Sequence, residues 1–145
     1  MKIAIASDHG GLEMKNELIK HFTSKGFSLT DLGTNSADSV DYPDFADKMA
    51  KHILAKESDF GILICGTGIG MSLAANKIKG IRATAYSETF SAKFTRLHND
   101  SNILCLGGRV IGPAVACEMV DLFINTDFEG GRHQRRVDMI KGLEE

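Results

Sequence analysis

Cys65 stands at the end of an apolar run and directly before Gly66-Thr67-Gly68-Ile69-Gly70, in the stretch ILICGTGIGMSLAANKIKG. Glycines in that position let the backbone turn tightly and aim N–H groups inward, at the positive end of the helix that follows. A thiol in such a place is one whose thiolate form is favoured, and it is then available as a base or nucleophile. The amides beside it can hold an oxyanion formed during a reaction. The ordinary fate of a free cysteine is to act as a small buried hydrophobe. Cys105, in mid-strand, and Cys117, on an apolar helix face, read that way, whereas Cys65 at the glycine junction reads as functional.

A second cluster lies near the end of the chain, in GGRHQRR. Arg132 and Arg136 are four residues apart and share one helix face beside that helix's N-terminus. Two guanidinium forks so placed suit a phosphate monoester, with a solvated basic face as the competing reading. His98-Asn99 offers a proton shuttle next to an amide, and Asp8-His9 is a similar pair, although a lone histidine is more often structural. His9, His21, His52, His98 and His133 form no HxH or HExxH pair, and no carboxylates are clustered with them, so no metal site is expected. His21 and His52, among lysines, read as surface residues. A GxSxG nucleophile elbow is absent, and Lys77, expected well inside a helix, makes no Walker loop.

The glycines also invite comparison with the dinucleotide fingerprint GxGxxG, which belongs to the first βα unit and has an acidic partner about 20 positions on. Here Met71 stands where the third glycine belongs and the loop follows the third strand, although Glu88 lies near the required distance. An oxidoreductase of that kind would be stabilised by NAD.

These residues need a frame, and the hydrophobic pattern supplies one. Strands are expected at 2–7, 27–33, 59–65, 80–86 and 102–108. Between them lie helical patterns in LEMKNELIKHF, in the segment opened by Pro43, in SLAANKI and in ETFSAKFTRLH, and two more follow in PAVACEMVDLFIN and RHQRRVDMIKGL. Strict alternation implies a parallel sheet of about five strands with helices on both faces: a single three-layer α/β/α, Rossmann-like domain over 1–145. In such sheets chemistry gathers at the carboxyl edge. The junctions deliver Ser7 to Gly11, Asp41-Tyr42-Pro43, Cys65 to Gly70, Arg96 to Asp100 just before strand five, and Gly107-Gly108-Arg109.

With 145 residues, 43% of them hydrophobic and 25% charged, the chain is long enough for one real core. A formal net charge of -2 argues against a main role in gripping nucleic acid or an anionic membrane. The opening MKIAIASDHGG is too short for a signal-peptide core and reads as a buried strand. An odd number of scattered cysteines with no CxxC pair fits a reducing cytoplasm.

A thiolate with flanking amides, a histidine for proton movement and arginines for phosphate together suggest cofactor-free aldose–ketose isomerisation of a sugar phosphate. A base removes the proton at C2, an enediolate forms, and the proton returns at C1. Sugar phosphates are mostly cyclic, so a further group, His98, must open the ring.

SDHGG, DYPDFA, CGTGIGMSLAANK, GIRA, RLHNDSN, LGGRVIG and GGRHQRR resemble, in order and over nearly the whole chain, the type B ribose-5-phosphate isomerases and the related galactose-6-phosphate and allose-6-phosphate isomerases. The resemblance implies a metal-free isomerase with no cofactor, acting as a homodimer or homotetramer with sites between subunits. It implies Cys65 as the enediol base, Thr67 orienting the thiol and His98 opening the ring. It further implies substrate contacts from Asp8, His9 and the backbone of Gly66, Gly68, Ile69 and Gly70, and substrate or phosphate contacts from Asn99, Arg109, Arg132 and Arg136. Tyr42 is a sugar contact or a packing aromatic. Some members lack the cysteine and use a glutamate; with Cys65, and with Met71 in that region, this chain falls in the cysteine group. Tyr86 departs from the small residues common in the family and would narrow the choice of sugar if it reaches the pocket. The galactose-6-phosphate enzymes resemble a pair of different chains, so a single chain carrying Cys65, His98 and both arginines favours ribose 5-phosphate. A non-catalytic sugar-phosphate sensor is the alternative, and it would need neither Cys65 nor His98.

Overall fold

Alternation of apolar side chains builds the centre of the molecule. In β1 (Ile3–Ser7), Ile3 and Ile5 pack on one side while Ala4 and Ala6 pack on the other, and every residue is buried. β3 (Phe60–Cys65) and β5 (Ile103–Gly107) repeat the arrangement. Ile62, Ile64, Leu104 and Leu106 join the first core; Leu63, Cys65, Ile103 and Cys105 join the second. Strands buried on both faces belong in the middle of a parallel sheet. The computed structural model, which describes residues 1–144, puts them there. With β2 (Leu29–Asp31) and β4 (Ala83–Ala85) they form an all-parallel sheet of five strands in the order β2-β1-β3-β5-β4.

Helices α1 (Leu12–Ser24), α4 (Thr89–Asn99) and α5 (Pro113–Asn125) serve the first core, and α2 (Tyr42–Leu54) and α3 (Ile69–Ala75) the second. α6 (Arg132–Lys141) packs on α4. The three-layer α/β/α architecture expected from the sequence is what forms. Among the described residues, no helix is long and apolar enough to cross a membrane.

The edges are shorter than the sequence pattern predicts. The strand expected over 80–86 keeps only Ala83–Ala85, because side-chain amides take the place of a ladder before it. The Arg82 N–H donates to Asn102 Oδ1 at 2.9 Å, and the Ala83 N–H donates to Asn76 Oδ1 at 2.8 Å. The Asn76 amide also donates to the Ala83 carbonyl at 2.7 Å, which fixes the point where α3 gives way to a turn. α3 therefore starts at Ile69 and stops at Ala75, so Lys77 lies beyond the helix and not inside it. At the other edge, Phe27 gives its N–H to the end of α1 at Phe22, which leaves β2 only Leu29–Asp31. Lys15, fully buried on α1, donates to both carboxylate oxygens of Asp31 and to Asn35, and so fastens the loop leaving β2.

Candidate active site

The chain runs from β1 outward to β2 and later returns to β3 on the other side. The crevice between the carboxyl ends of β1 and β3 is therefore the topological switch point, where open α/β sheets bind ligands. A cleft of about 420 Å³ opens there, lined by Asp8, Tyr42, Cys65, Gly66, Thr67, Ile69, Gly70 and Leu73. Cys65 ends β3 on the side that faces α3 and is 5% exposed. The Gly68 N–H donates to its Sγ at 3.1 Å.

That hydrogen bond depends on local backbone. Gly68 has φ of +81°, and a Cβ on it would lie 2.9 Å from the carbonyl carbon of Leu106. Only glycine fits both demands. The loop leaving β5 clamps the thiol loop from the far side: the Gly108 N–H donates to the Cys65 carbonyl at 2.8 Å and the Arg109 N–H to the Gly66 carbonyl at 3.1 Å. The Arg109 guanidinium lies over the same turn, so that a Cβ on Gly66 would meet Nη1 at 3.3 Å and one on Gly10 would meet Nη2 at 3.5 Å. Asp8, 6% exposed, accepts from the Gly11 N–H at 3.1 Å. His9 Nδ1 accepts from the Val40 N–H at 3.2 Å, which leaves Nε2 as the protonated nitrogen of the neutral ring. The Tyr42 ring covers Gly70 so closely that a Cβ there would fall 2.6 Å from it. The Thr67 hydroxyl accepts from the Ile69 N–H at 3.3 Å, at the first turn of α3, and the bond to sulfur comes from Gly68. Cys105 is fully buried on the same face, and burial, reinforced by nearby Cys65, pushes its thiol far above the usual range. It stays protonated and acts as packing. Cys117 is half-buried, with burial raising its thiol as well.

His98, Asn99, Arg132 and Arg136 are elsewhere. α4 starts after β4 and carries the chain back to the amino edge of the sheet, where the Asn99 and Asp100 carbonyls accept from Arg82 just before β4. Cys65 is paired with Gly107 at the opposite end of β5. From Asn102 to Gly107 the strand rise of about 3.3 Å per residue gives a separation of roughly 17 Å along the sheet. One chain therefore brings Asp8, His9, Tyr42, Arg109 and the thiol loop together at one edge, and holds His98, Asn99 and the α6 arginines at the other. The expectation that all these junctions face one carboxyl edge fails for His98 and Asn99, because a helix-to-strand junction lies at the amino edge.

His98 and Asn99 line a small hollow along α4 with Tyr86, Phe90 and Phe94. Tyr86 thus neighbours His98, and burial raises its phenol above the ordinary range. Sequence spacing did not reveal Glu129, whose carboxylate lies near both His98 and His133. It is thirty-one positions from His98, and only the fold brings it there. His52 is less exposed than expected, with its ring held by Ser58 and Glu57. A larger hollow, about 780 Å³, lies at the amino edge between Asn76, Arg82 and Leu143 and is lined by neither Cys65 nor His98.

An all-parallel α/β/α sheet with a thiol loop at its switch point defines a Rossmann-like domain with its candidate site at the carboxyl edge. The chain belongs to the ribose/galactose isomerase family, whose model matches residues 3–140. Ribose-5-phosphate isomerase B of Escherichia coli is 46% identical over 144 residues, covering 99% of this chain and 97% of its own. The structure of the Clostridium thermocellum ribose-5-phosphate isomerase B superposes with a TM-score of 0.97 at 47% identity, over 99% of this chain and 97% of that one. The Mycoplasma genitalium enzyme, solved with bound ribulose-5-phosphate, gives a TM-score of 0.92 at 45% identity, over 99% of this chain and 95% of its own.

Proposed function

We propose that this protein interconverts ribose 5-phosphate and ribulose 5-phosphate through an enediolate, with Cys65 as the base. The observation that carries the reading is the Cys65 thiol, held by the Gly68 N–H at the switch-point cleft, in a chain of the ribose/galactose isomerase family. In the open-chain aldose the Cys65 thiolate takes the proton from C2. The C2 electron pair forms the enediolate double bond as the carbonyl at C1 becomes an oxyanion. Backbone amides of the first turn of α3, which have no helical acceptor, supply donors to that oxygen. The proton then returns to C1, and the O2 hydrogen passes to the O1 oxyanion as the ketone forms at C2. A positioned base contributes about 10²–10⁴-fold to such a step. These steps call on a base and hydrogen-bond donors and on no cofactor.

Ribose 5-phosphate arrives as a ring, so its ring oxygen must gain a proton while the C1 hydroxyl loses one. His98 is proposed for that transfer, with Asn99 beside it, and Arg132 and Arg136 are proposed to hold the phosphate together with Arg109. Because the chain carries His98 and Cys65 at opposite edges of its sheet, the complete site is proposed to form between two copies, one giving the thiol loop and the other α4 and α6. Ile69 and Leu73, 57% and 63% exposed beside the cleft, support a face that another copy covers.

The test uses EDTA-treated protein in D2O, with galactose and allose 6-phosphates as competing substrates. Ribulose 5-phosphate is acyclic because its O5 carries the phosphate, so deuterium entry at its C1 reports the enediolate step alone. Cys65→Ala should lose both isomerisation and deuterium entry, by about 10²-fold or more. His98→Asn should lose conversion of ribose 5-phosphate while keeping deuterium entry. Turnover of Cys65→Ala at the parent rate, or a preference for a hexose phosphate, would contradict the proposal.

A further inference from the structure

The His98 ring sits inside a built frame. It stacks on His133, with centroids 4.0 Å apart and planes 11° from parallel. Phe94 meets it at 5.1 Å and 79°, an edge-on contact. Glu129 Oε2 lies 3.9 Å from His98 Nε2 and 3.8 Å from His133 Nε2. Three segments converge to make this arrangement. His98 is in the last turn of α4, and the Glu129 N–H donates to the carbonyl of the preceding Leu97 at 3.1 Å, fastening the α5–α6 connection to that turn. Gly130 and Gly131, with φ of +69° and +55°, then turn the chain into α6, whose second residue is His133.

The His133 side chain is only 9% exposed, whereas that of His98 is 36% exposed. The pair thus has one ring that can meet a substrate and one that stands behind it. The Arg132 Nε–H donates to His133 Nε2 at 3.4 Å, a long bond that uses the lone pair of a neutral imidazole. Burial first, and then the facing His98 ring with Arg132 and Arg136, holds His133 below the usual imidazole range, against an opposing pull from Glu129. The two imidazoles and the carboxylate are close enough to suggest a metal site. The Arg132 bond takes the His133 nitrogen that would be a ligand and sets a fixed cation against it, so the cluster is better suited to orienting a ring than to holding an ion.

We infer that His133 and Glu129 are positioning residues, which fix the plane of His98 so that one ring nitrogen can reach both the sugar ring oxygen and the C1 hydroxyl. The inference rests on the ring-opening role proposed for His98. Without the stack and the carboxylate, a half-exposed histidine at a helix end turns freely about both side-chain torsions, and misplacement of about 1 Å can cost as much as 10²-fold in rate.

The test compares two reactions of the full-length protein in D2O: conversion of ribose 5-phosphate, which needs ring opening, and deuterium entry at C1 of ribulose 5-phosphate, which does not. His133→Ala and Glu129→Gln should each lower the first by about 10- to 100-fold and leave the second within about twofold. His133→Phe keeps a ring for His98 to stack on and should recover most of the conversion. Glu129 is more than half exposed, so its variant folds as the parent does. Parallel loss of both reactions, no loss of either, or a His133→Phe protein as impaired as His133→Ala would overturn the inference. His98→Asn is the separate control: if it fails to divide the two reactions, the ring-opening role itself falls, whatever His133 and Glu129 do.

Discussion

At the scale of single residues, the molecule distinguishes groups of the same type by what surrounds them. Cys65 and Cys105 share one face of the sheet, yet Cys65 receives a backbone N–H at a cleft while Cys105 is sealed in the core and stays protonated. His133 is the residue whose titration should register in stability. Its folded form resists protonation, so as pH falls through about 6.5 the unfolded chain takes up a proton at this position first. Stability is therefore present above that pH and lost below it, a range in which carboxylates contribute little. Thermal melts from pH 7.5 to 5 should show the melting temperature falling, with a shallower fall in His133→Phe; equal slopes would show that His133 does not contribute. The Cys65 junction was legible from sequence, since a cysteine between an apolar strand and a glycine turn is chemically distinctive. Glu129 was not, because its closeness to His98 is created by the α5–α6 turn and no local spacing records it.

At the scale of elements, the thiol loop is held by backbone more than by side chains. Gly68→Ala tests this. A side chain at φ of +81° and 2.9 Å from the Leu106 carbonyl carbon must push the loop away, and the left-handed conformation alone costs about 1–2 kcal/mol. The variant should melt at lower temperature and lose turnover out of proportion to that loss, because the N–H that reaches Sγ moves; full activity would show that the amide is dispensable. Central strands such as FGILIC were legible because burial on both faces leaves an unbroken apolar run. The edges were not, because Asn76 and Asn102 end pairing through side-chain bonds that no periodicity displays. The place of His98 follows from topology: each helix returns the chain to the amino edge, so a residue at a helix end and one at a strand end face opposite ways.

At the scale of the whole molecule, that opposition carries the proposed mechanism. In that proposal one chain presents Cys65, the proposed base, apart from the proposed ring-opening residue, His98. A symmetric pair of chains would join each half to its complement twice over. The measurement that tests this most directly is complementation between two inactive variants, Cys65→Ala and His98→Asn, unfolded and refolded together. If each site draws on both chains, a mixed dimer contains one site with both lesions and one with neither. Random pairing should then restore about a quarter of the parent activity on ribose 5-phosphate. A mixture no more active than its separate components, with mixed dimers shown to be present, would mean that Cys65 and His98 act within one chain.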